Sequence, residues 1–105
     1  MNKQISAVEA AILRKDGKVV FLDVREASEL TICQIEGAFH IPLGEIPKRC
    51  DTLPKDRPII VFCHHGMRSL NAQNFLISKD FDNVINMQGG INAWSQQVDT
   101  RVPQY

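Results

Sequence analysis

The sequence has little of several features that mark large classes of protein. It has only three cysteines and no CxxC pair, which argues against a disulfide framework and against a zinc ribbon. Its longest apolar runs, residues 19–22 and 59–62, fall far short of the roughly 18 residues that a membrane span needs. Its 12 basic residues balance 12 acidic ones, so no basic patch for nucleic acid is indicated.

The first residues also lack the apolar stretch of a secretion signal. We therefore expect a soluble, cytoplasmic protein without a membrane or nucleic-acid partner, in a reducing compartment that keeps its thiols free. The length fits a single domain, residues 1–105, with a loose tail at about residues 99–105. Hydrophobic residues make up 44% of the chain, which is enough for one core but not for two.

An alternation of strand and helix patterns predicts the fold class. Residues 59–62 are wholly apolar, as in a parallel strand that is buried on both faces. Strands are predicted at residues 19–22, 39–41, 59–62 and 84–85. The first helix is predicted to begin after the capping box at Ser6. Further helices are predicted at residues 27–30, at 44–53, around 70–76 and from residue 91 onward. This alternation is typical of an α/β fold with a mainly parallel sheet, in which sites form beyond the carboxyl ends of the strands.

Cys63 is the residue that points most directly to chemistry. It follows the apolar run 59–62 and opens the segment 63–69, after which a helical pattern begins. A thiol at that place faces loop amides and a helix N-terminus, which favour negative charge and lower the pKa of the thiol. We therefore predict a nucleophilic cysteine, open to solvent, in a cradle that stabilises anions.

The length of the loop separates the reactions that such a cysteine could catalyse. Cysteine phosphatases hold a tetrahedral phosphate in a Cys-x5-Arg loop, whereas the spacing here is Cys63-x4-Arg68. A smaller ring of amides suits a single sulfur atom attached to Cys63, as a persulfide. His64 and His65 are adjacent to the thiol in sequence and cannot easily fold back onto it, which disfavours a papain-like pair, and a distant His40 has no support.

Four segments of the chain resemble single-domain rhodaneses, the thiosulfate sulfurtransferase family. They are residues 21–26 (FLDVRE), 35–43 (IEGAFHIPL), 63–69 (CHHGMRS) and 89–94 (GGINAW), in the order of the family and across nearly the whole chain. The resemblance implies a three-layer α/β sandwich, with a mainly parallel five-stranded sheet and helices on both faces. It also implies ping-pong transfer of a sulfane sulfur from thiosulfate or a related small-molecule donor to cyanide, a thiol or a sulfur-carrier protein. We expect no cofactor and no metal.

The resemblance assigns roles to the matching positions. Cys63 is the nucleophile and persulfide carrier. The residues that would form the cradle for the outer sulfur are His64, His65, Gly66, Met67, Arg68 and Ser69. Arg68 is expected to bind an anionic donor through its guanidinium fork, Gly66 to let the backbone turn with a positive φ, and Ser69 to cap the next helix and donate to the sulfur.

Other residues have supporting or structural interpretations. Asp23 and Arg25 resemble the Asp-Val-Arg element of the family and are expected to brace the loop region by charge-assisted hydrogen bonds. Family members often carry Gly-His where this chain has Cys33 and Gln34. Cys33 and Cys50 are read as inert thiols, with a resolving role for Cys63 as the alternative.

Three functions compete at this stage. The first is a catalytic sulfurtransferase that works through Cys63. The second is a non-catalytic binding or regulatory module on the same fold, although rhodanese-like domains used in that way usually lack the cysteine. The third is a phosphatase or arsenate reductase, against which the loop length argues.

Overall fold

The computed structural model describes residues 3–105, which form one sheet with helices on both sides. The strands are β1 (Lys3–Ile5), β2 (Val20–Asp23), β3 (Phe39–His40), β4 (Ile59–Phe62) and β5 (Val84–Met87). The helices are α1 (Ala7–Lys15), α2 (Ala27–Leu30), α3 (Ile46–Arg49), α4 (Met67–Ser78) and α5 (Gly90–Gln97). The sheet order is β1-β5-β4-β2-β3, and every neighbouring pair is parallel. The predicted α/β class and the mainly parallel, five-stranded sheet are confirmed.

The sheet divides the hydrophobic core into two clusters, one on each face. Along β4, Ile59 and Val61 belong to one cluster, and Ile60 and Phe62 belong to the other. The first cluster includes buried residues of α3 and α4, and the second includes those of α1 and α5. The expectation of one core rather than two is therefore wrong, because successive side chains of a buried parallel strand point to opposite faces and each face needs its own cover.

Two local predictions also differ from the structure. Strand β1 was not predicted, because it has only three residues, lies at the edge of the sheet and is mostly exposed. The helix predicted at 44–53 is instead three short pieces, in which α3 is flanked by the 3-10 turns Leu43–Glu45 and Cys50–Thr52. The predicted inward-facing residues of this segment, Ile46 and Leu53, are buried as expected.

The parallel arrangement brings the ends of the central strands together. β2 pairs with β4 so that Asp23 lies opposite Phe62, the residue before Cys63. β5, on the other side of β4, ends at Met87. Cys63 therefore leaves the middle of the sheet at its carboxyl edge, where parallel α/β folds build their sites.

Candidate active site

The sulfur of Cys63 is held by the loop that connects β4 to α4. The backbone N–H of Gly66 donates to Cys63 Sγ at 3.0 Å. Gly66 has φ of +119°, which confirms the predicted left-handed turn, and it is the N-cap of α4. The loop thus folds back on the thiol just before the helix begins, and the N-terminus of α4 faces it.

The electrostatic balance at Cys63 favours the thiolate. Burial of the side chain acts to raise its pKa, but hydrogen bonds from Ser69 and from the backbone N–H groups of Ser69, Gly66 and His65 outweigh it, so the pKa of Cys63 is lowered. A lowered pKa provides more thiolate at neutral pH, and the thiolate is the nucleophilic form.

The thiol is more enclosed than we expected. Cys63 is only 1% exposed, whereas the sequence analysis predicted a thiol open to solvent. His65 and Met67, on the same loop, are exposed, and the Met67 side chain is 73% exposed. The loop therefore presents an apolar side chain to solvent while its sulfur stays covered.

Ser69 is placed by Asn86, a residue that the sequence analysis missed. Ser69 Oγ lies 3.5 Å from Cys63 Sγ and 2.6 Å from Asn86 Oδ1. Because Asn86 Nδ2 donates to the carbonyl of Gly66 at 3.3 Å, the amide oxygen faces Ser69, and the single hydroxyl proton of Ser69 is shared between Asn86 Oδ1 and Cys63 Sγ. Ser69 is the third residue of α4 rather than its cap, so that part of its predicted role is wrong. The signal for Asn86 was a polar residue within an otherwise apolar strand.

The N-terminus of α5 fixes the other side of the loop. The N–H groups of Ile91 and Asn92 donate to the carbonyls of Cys63 and His64 at 2.8 and 3.1 Å. This approach requires Gly90, which has φ of +57° and whose added Cβ would lie 2.3 Å from the Cys63 carbonyl oxygen. With its carbonyls turned toward α5, the loop is free to direct its N–H groups at the sulfur. In the sequence, the paired glycines were noted only as part of the resemblance.

Asp23 and Arg25 form a buried ion pair beside this loop. Arg25 Nη2 lies 2.7 Å from Asp23 Oδ2, and the two side chains are 0% and 3% exposed. Burial acts to lower the pKa of Arg25, but its hydrogen bonds to Asp23 and Tyr105 raise it overall. Arg25 also donates to the carbonyls of Glu29 and Cys33. The pair therefore braces α2 and the segment after it, and it reaches the Cys63 loop through Glu29 and through Tyr105.

Glu29 connects that brace to Arg68. Arg68 Nη1 and Nη2 donate to Glu29 Oε1 and Oε2 at 2.5 and 2.8 Å. The guanidinium that was expected to bind an anionic sulfur donor therefore binds a carboxylate of the protein instead. The hydroxyl of Tyr105 donates to Glu29 at 2.6 Å, and its ring stacks on His64 with centroids 3.8 Å apart. The tail at residues 99–105, which has no helix or strand, thus ends beside the site. The sequence analysis missed Glu29 and Tyr105, and no local signal distinguished them.

Further features of the described residues, 3–105, bear on the class of site. Within that range no cluster of three or more His, Cys, Asp or Glu side chains is placed to hold a metal ion. None of the helices there is long and apolar enough to cross a membrane. Cys33, Cys50 and Cys63 are free thiols. The reactive group at this edge of the sheet is the Cys63 thiol with its hydrogen-bond donors.

Comparison with known proteins places the chain in a family. The rhodanese-like domain family matches residues 6–97. A sulfurtransferase of Allochromatium vinosum is 35% identical over 78 residues, which cover 74% of this chain and 73% of that protein. The thiosulfate sulfurtransferase GlpE of Tolumonas auensis is 31% identical over 91 residues, which cover 87% of this chain and 86% of that protein.

A solved structure supports the same assignment. A rhodanese-related protein from Thermoplasma volcanium superimposes with a TM-score of 0.80 and 32% identity, over 91% of this chain and 93% of that chain. The matched region contains the whole segment from the capping box of α1 to the end of α5. This chain belongs to the rhodanese-like domain family, among relatives that are named as sulfurtransferases.

Proposed function

We propose that this protein is a sulfurtransferase that carries a sulfane sulfur on Cys63, from thiosulfate or a related donor to a thiophilic acceptor. The observation that carries the proposal is the position of the Cys63 sulfur, 3.0 Å from the Gly66 N–H at the carboxyl edge of the sheet, with a lowered pKa. A persulfide anion needs such donors for the same reason that an oxyanion does.

The first half-reaction loads the cysteine. The Cys63 thiolate attacks the outer sulfur of thiosulfate, the S–S bond of the donor breaks, and sulfite leaves with the bonding electron pair. Cys63 then carries a persulfide anion, and the total charge is unchanged. The N–H groups of His65, Gly66 and Ser69 support this proposal because they are already directed toward the sulfur.

The second half-reaction removes the outer sulfur from Cys63. A nucleophilic acceptor attacks the outer sulfur of the persulfide, and the Cys63 thiolate leaves. With cyanide the product is thiocyanate, and with a thiol, on a small molecule or on a sulfur-carrier protein, it is a new persulfide. No cofactor or metal takes part in these steps. The cytoplasm is the proposed compartment, because Cys63 must stay a free thiol between turnovers.

The enclosure of Cys63 means that a donor needs an opening. Tyr105 stacks on His64, the residue next to the nucleophile, and belongs to the tail without regular structure. We assign the opening to the displacement of this ring, because Tyr105 lies in a segment outside the helices and strands and can move without disturbing the sheet.

The low exposure of Cys63 also favours a second candidate, the non-catalytic binding module. One experiment separates the two. The protein is mixed with thiosulfate and its mass is measured before and after addition of cyanide. A sulfurtransferase gains one sulfur atom and loses it to cyanide, whereas a binding module gains none.

Two variants test whether Cys63 is the thiol that carries the sulfur. Cys63→Ala must abolish the gain of sulfur, and Cys50→Ala, which removes another buried thiol outside the site, must leave it intact. Hydrolysis of p-nitrophenyl phosphate or reduction of arsenate by the wild-type protein would instead support the phosphatase or reductase reading. Failure of the wild-type protein to load from any sulfane donor would refute the proposal.

A further inference from the structure

The pair formed by Glu29 and Arg68 lies beside the loop that holds Cys63. Arg68 lies in the first turn of α4, five residues after the nucleophile, and the charge of the Cys63 thiolate contributes to raising the pKa of Arg68 after the larger effect of its bonds to Glu29. Glu29 lies on α2 and meets Arg68 from the opposite side. Both outer nitrogens of the guanidinium are taken by the carboxylate.

Glu29 is held as a fixed negative charge. Besides the two bonds from Arg68, it accepts the Tyr105 hydroxyl and the backbone N–H of Glu26. Its side chain is 16% exposed, and the hydrogen bonds from Arg68 are the main reason that its pKa is lowered to about 2. Glu29 is therefore ionised throughout the neutral pH range, and it competes with any anionic donor for the guanidinium of Arg68.

Both arginines beside the thiol, Arg25 and Arg68, are paired with carboxylates. All three side-chain nitrogens of Arg25 are engaged, chiefly with Asp23. Burial and the neighbouring His65 lower the pKa of His64, so its ring is neutral at pH 7. The two ion pairs cancel, and the Cys63 thiolate adds a negative charge. A dianionic donor thus meets a site whose two arginines are both already paired.

We propose that Glu29 is a specificity-determining residue that sets the charge of the sulfur donor. By holding Arg68, it disfavours thiosulfate, whose departing sulfite needs a cation, and it favours an organic persulfide with an uncharged tail. This inference rests on the proposed function. With such a donor the Cys63 thiolate attacks the terminal sulfur of R–S–SH, the donor S–S bond breaks, and RS⁻ leaves with the electron pair, which requires no oxyanion site.

The test compares two donors and two matched variants. The donors are thiosulfate and 2-hydroxyethyl persulfide, and the readout is the rate of Cys63 persulfide formation at several donor concentrations. Glu29→Gln keeps the shape of the side chain and one acceptor oxygen, but it removes the negative charge that holds Arg68. Glu36→Gln removes the same charge from an exposed position just before β3, at the opposite edge of the sheet.

The expected result is specific to one variant and one donor. In Glu29→Gln, the second-order rate constant for loading from thiosulfate rises about tenfold, mainly through tighter binding of the donor, while the value for the persulfide changes by less than about twofold. Glu36→Gln changes neither value by more than about twofold. The wild-type protein prefers the persulfide over thiosulfate by at least about tenfold.

The outcomes separate this inference from the proposed function. If the wild-type protein loads from neither donor, the proposed function fails. If it loads from both and a folded Glu29→Gln keeps the wild-type donor ratio, only the role of Glu29 is refuted. Should Glu29→Gln not fold, Arg68→Gln is used in its place. This variant keeps the negative charge of Glu29 and loses the guanidinium of Arg68, so its rate of loading from thiosulfate must not exceed that of the wild type. A wild-type preference for thiosulfate overturns the inference by itself.

Discussion

Gly90 offers the sharpest test of how the loop is positioned. A methyl group at this position would lie 2.3 Å from the carbonyl oxygen of Cys63 and 2.5 Å from that of His64, both of them backbone atoms. These are the two carbonyls that accept N–H groups from the first turn of α5. Gly90→Ala must therefore push α5 and the loop apart at the place that orients the nucleophile.

The cost has two sources. A non-glycine residue at φ of +57° is strained by about 1–2 kcal/mol. Separating the loop from α5 also weakens two hydrogen bonds, at about 0.5–1.5 kcal/mol each. Together these predict a loss of about 2–5 kcal/mol of unfolding free energy, or a fall in Tm of roughly 10–30 °C for a domain of this size.

Two other glycines separate the contributions. Gly17 has φ of +68° with nothing within 4 Å of an added Cβ, so Gly17→Ala carries the backbone strain alone. Gly44 has open space and no positive φ, so Gly44→Ala is expected to be neutral or to stabilise by about 0.4–1 kcal/mol. Thermal unfolding of the three variants is followed by circular dichroism, and the rate of sulfur loading on Cys63 is measured well below each Tm.

The three variants are expected to differ in stability and in the rate of sulfur loading. Gly90→Ala should be the least stable variant and the one whose loading rate falls, because the loop N–H groups no longer face the sulfur. The other two variants should load at the wild-type rate. If Gly90→Ala matched Gly17→Ala in stability and kept the wild-type loading rate, the contact between α5 and the loop would not be what orients the thiol.

Three further predictions follow from the charged and polar groups. Asp23→Asn leaves Arg25 buried without a counter-ion and should cost about 3–5 kcal/mol in urea unfolding. Ser69→Ala removes a hydrogen bond to the Cys63 thiolate, so the midpoint of the pH profile for iodoacetamide alkylation should rise. Because the pKa of Glu29 is lowered to about 2, its contribution to stability is fully present above the ordinary carboxyl range and is lost as the pH falls from about 4.5 toward 2. Acid unfolding of Glu29→Gln should accordingly be less steep over that interval.

Each of these has its own check. Glu45→Gln breaks an exposed ion pair with Arg49 and should cost no more than about 1 kcal/mol, so an equal loss for Asp23→Asn would contradict the burial argument. An unchanged alkylation midpoint in Ser69→Ala would mean that the backbone N–H groups alone set the pKa of Cys63. Identical acid unfolding curves for the wild type and Glu29→Gln would show that Glu29 titrates normally.

The sequence by itself determined the class of the fold and the place of the nucleophile. The apolar run of β4 can be buried only as a central parallel strand, and Cys63 follows it directly. The capping box at Ser6 starts α1 where predicted, because its hydrogen bonds to Glu9 join residues three apart. Features of this kind depend on neighbours along the chain, and such neighbours are visible in the sequence.

The surroundings of the thiol were decided only by the tertiary structure. Arg68 meets Glu29 across 39 positions of sequence, and Tyr105 meets Glu29 across 76. Asn86 reaches Ser69 because β5 lies beside β4, a consequence of the sheet order. Contacts between distant segments depend on how whole elements pack, so local propensity and spacing carry no trace of them. For that reason the sequence identified the sulfur atom, and the packing of the sheet and its helices determined the charge and the cover around it.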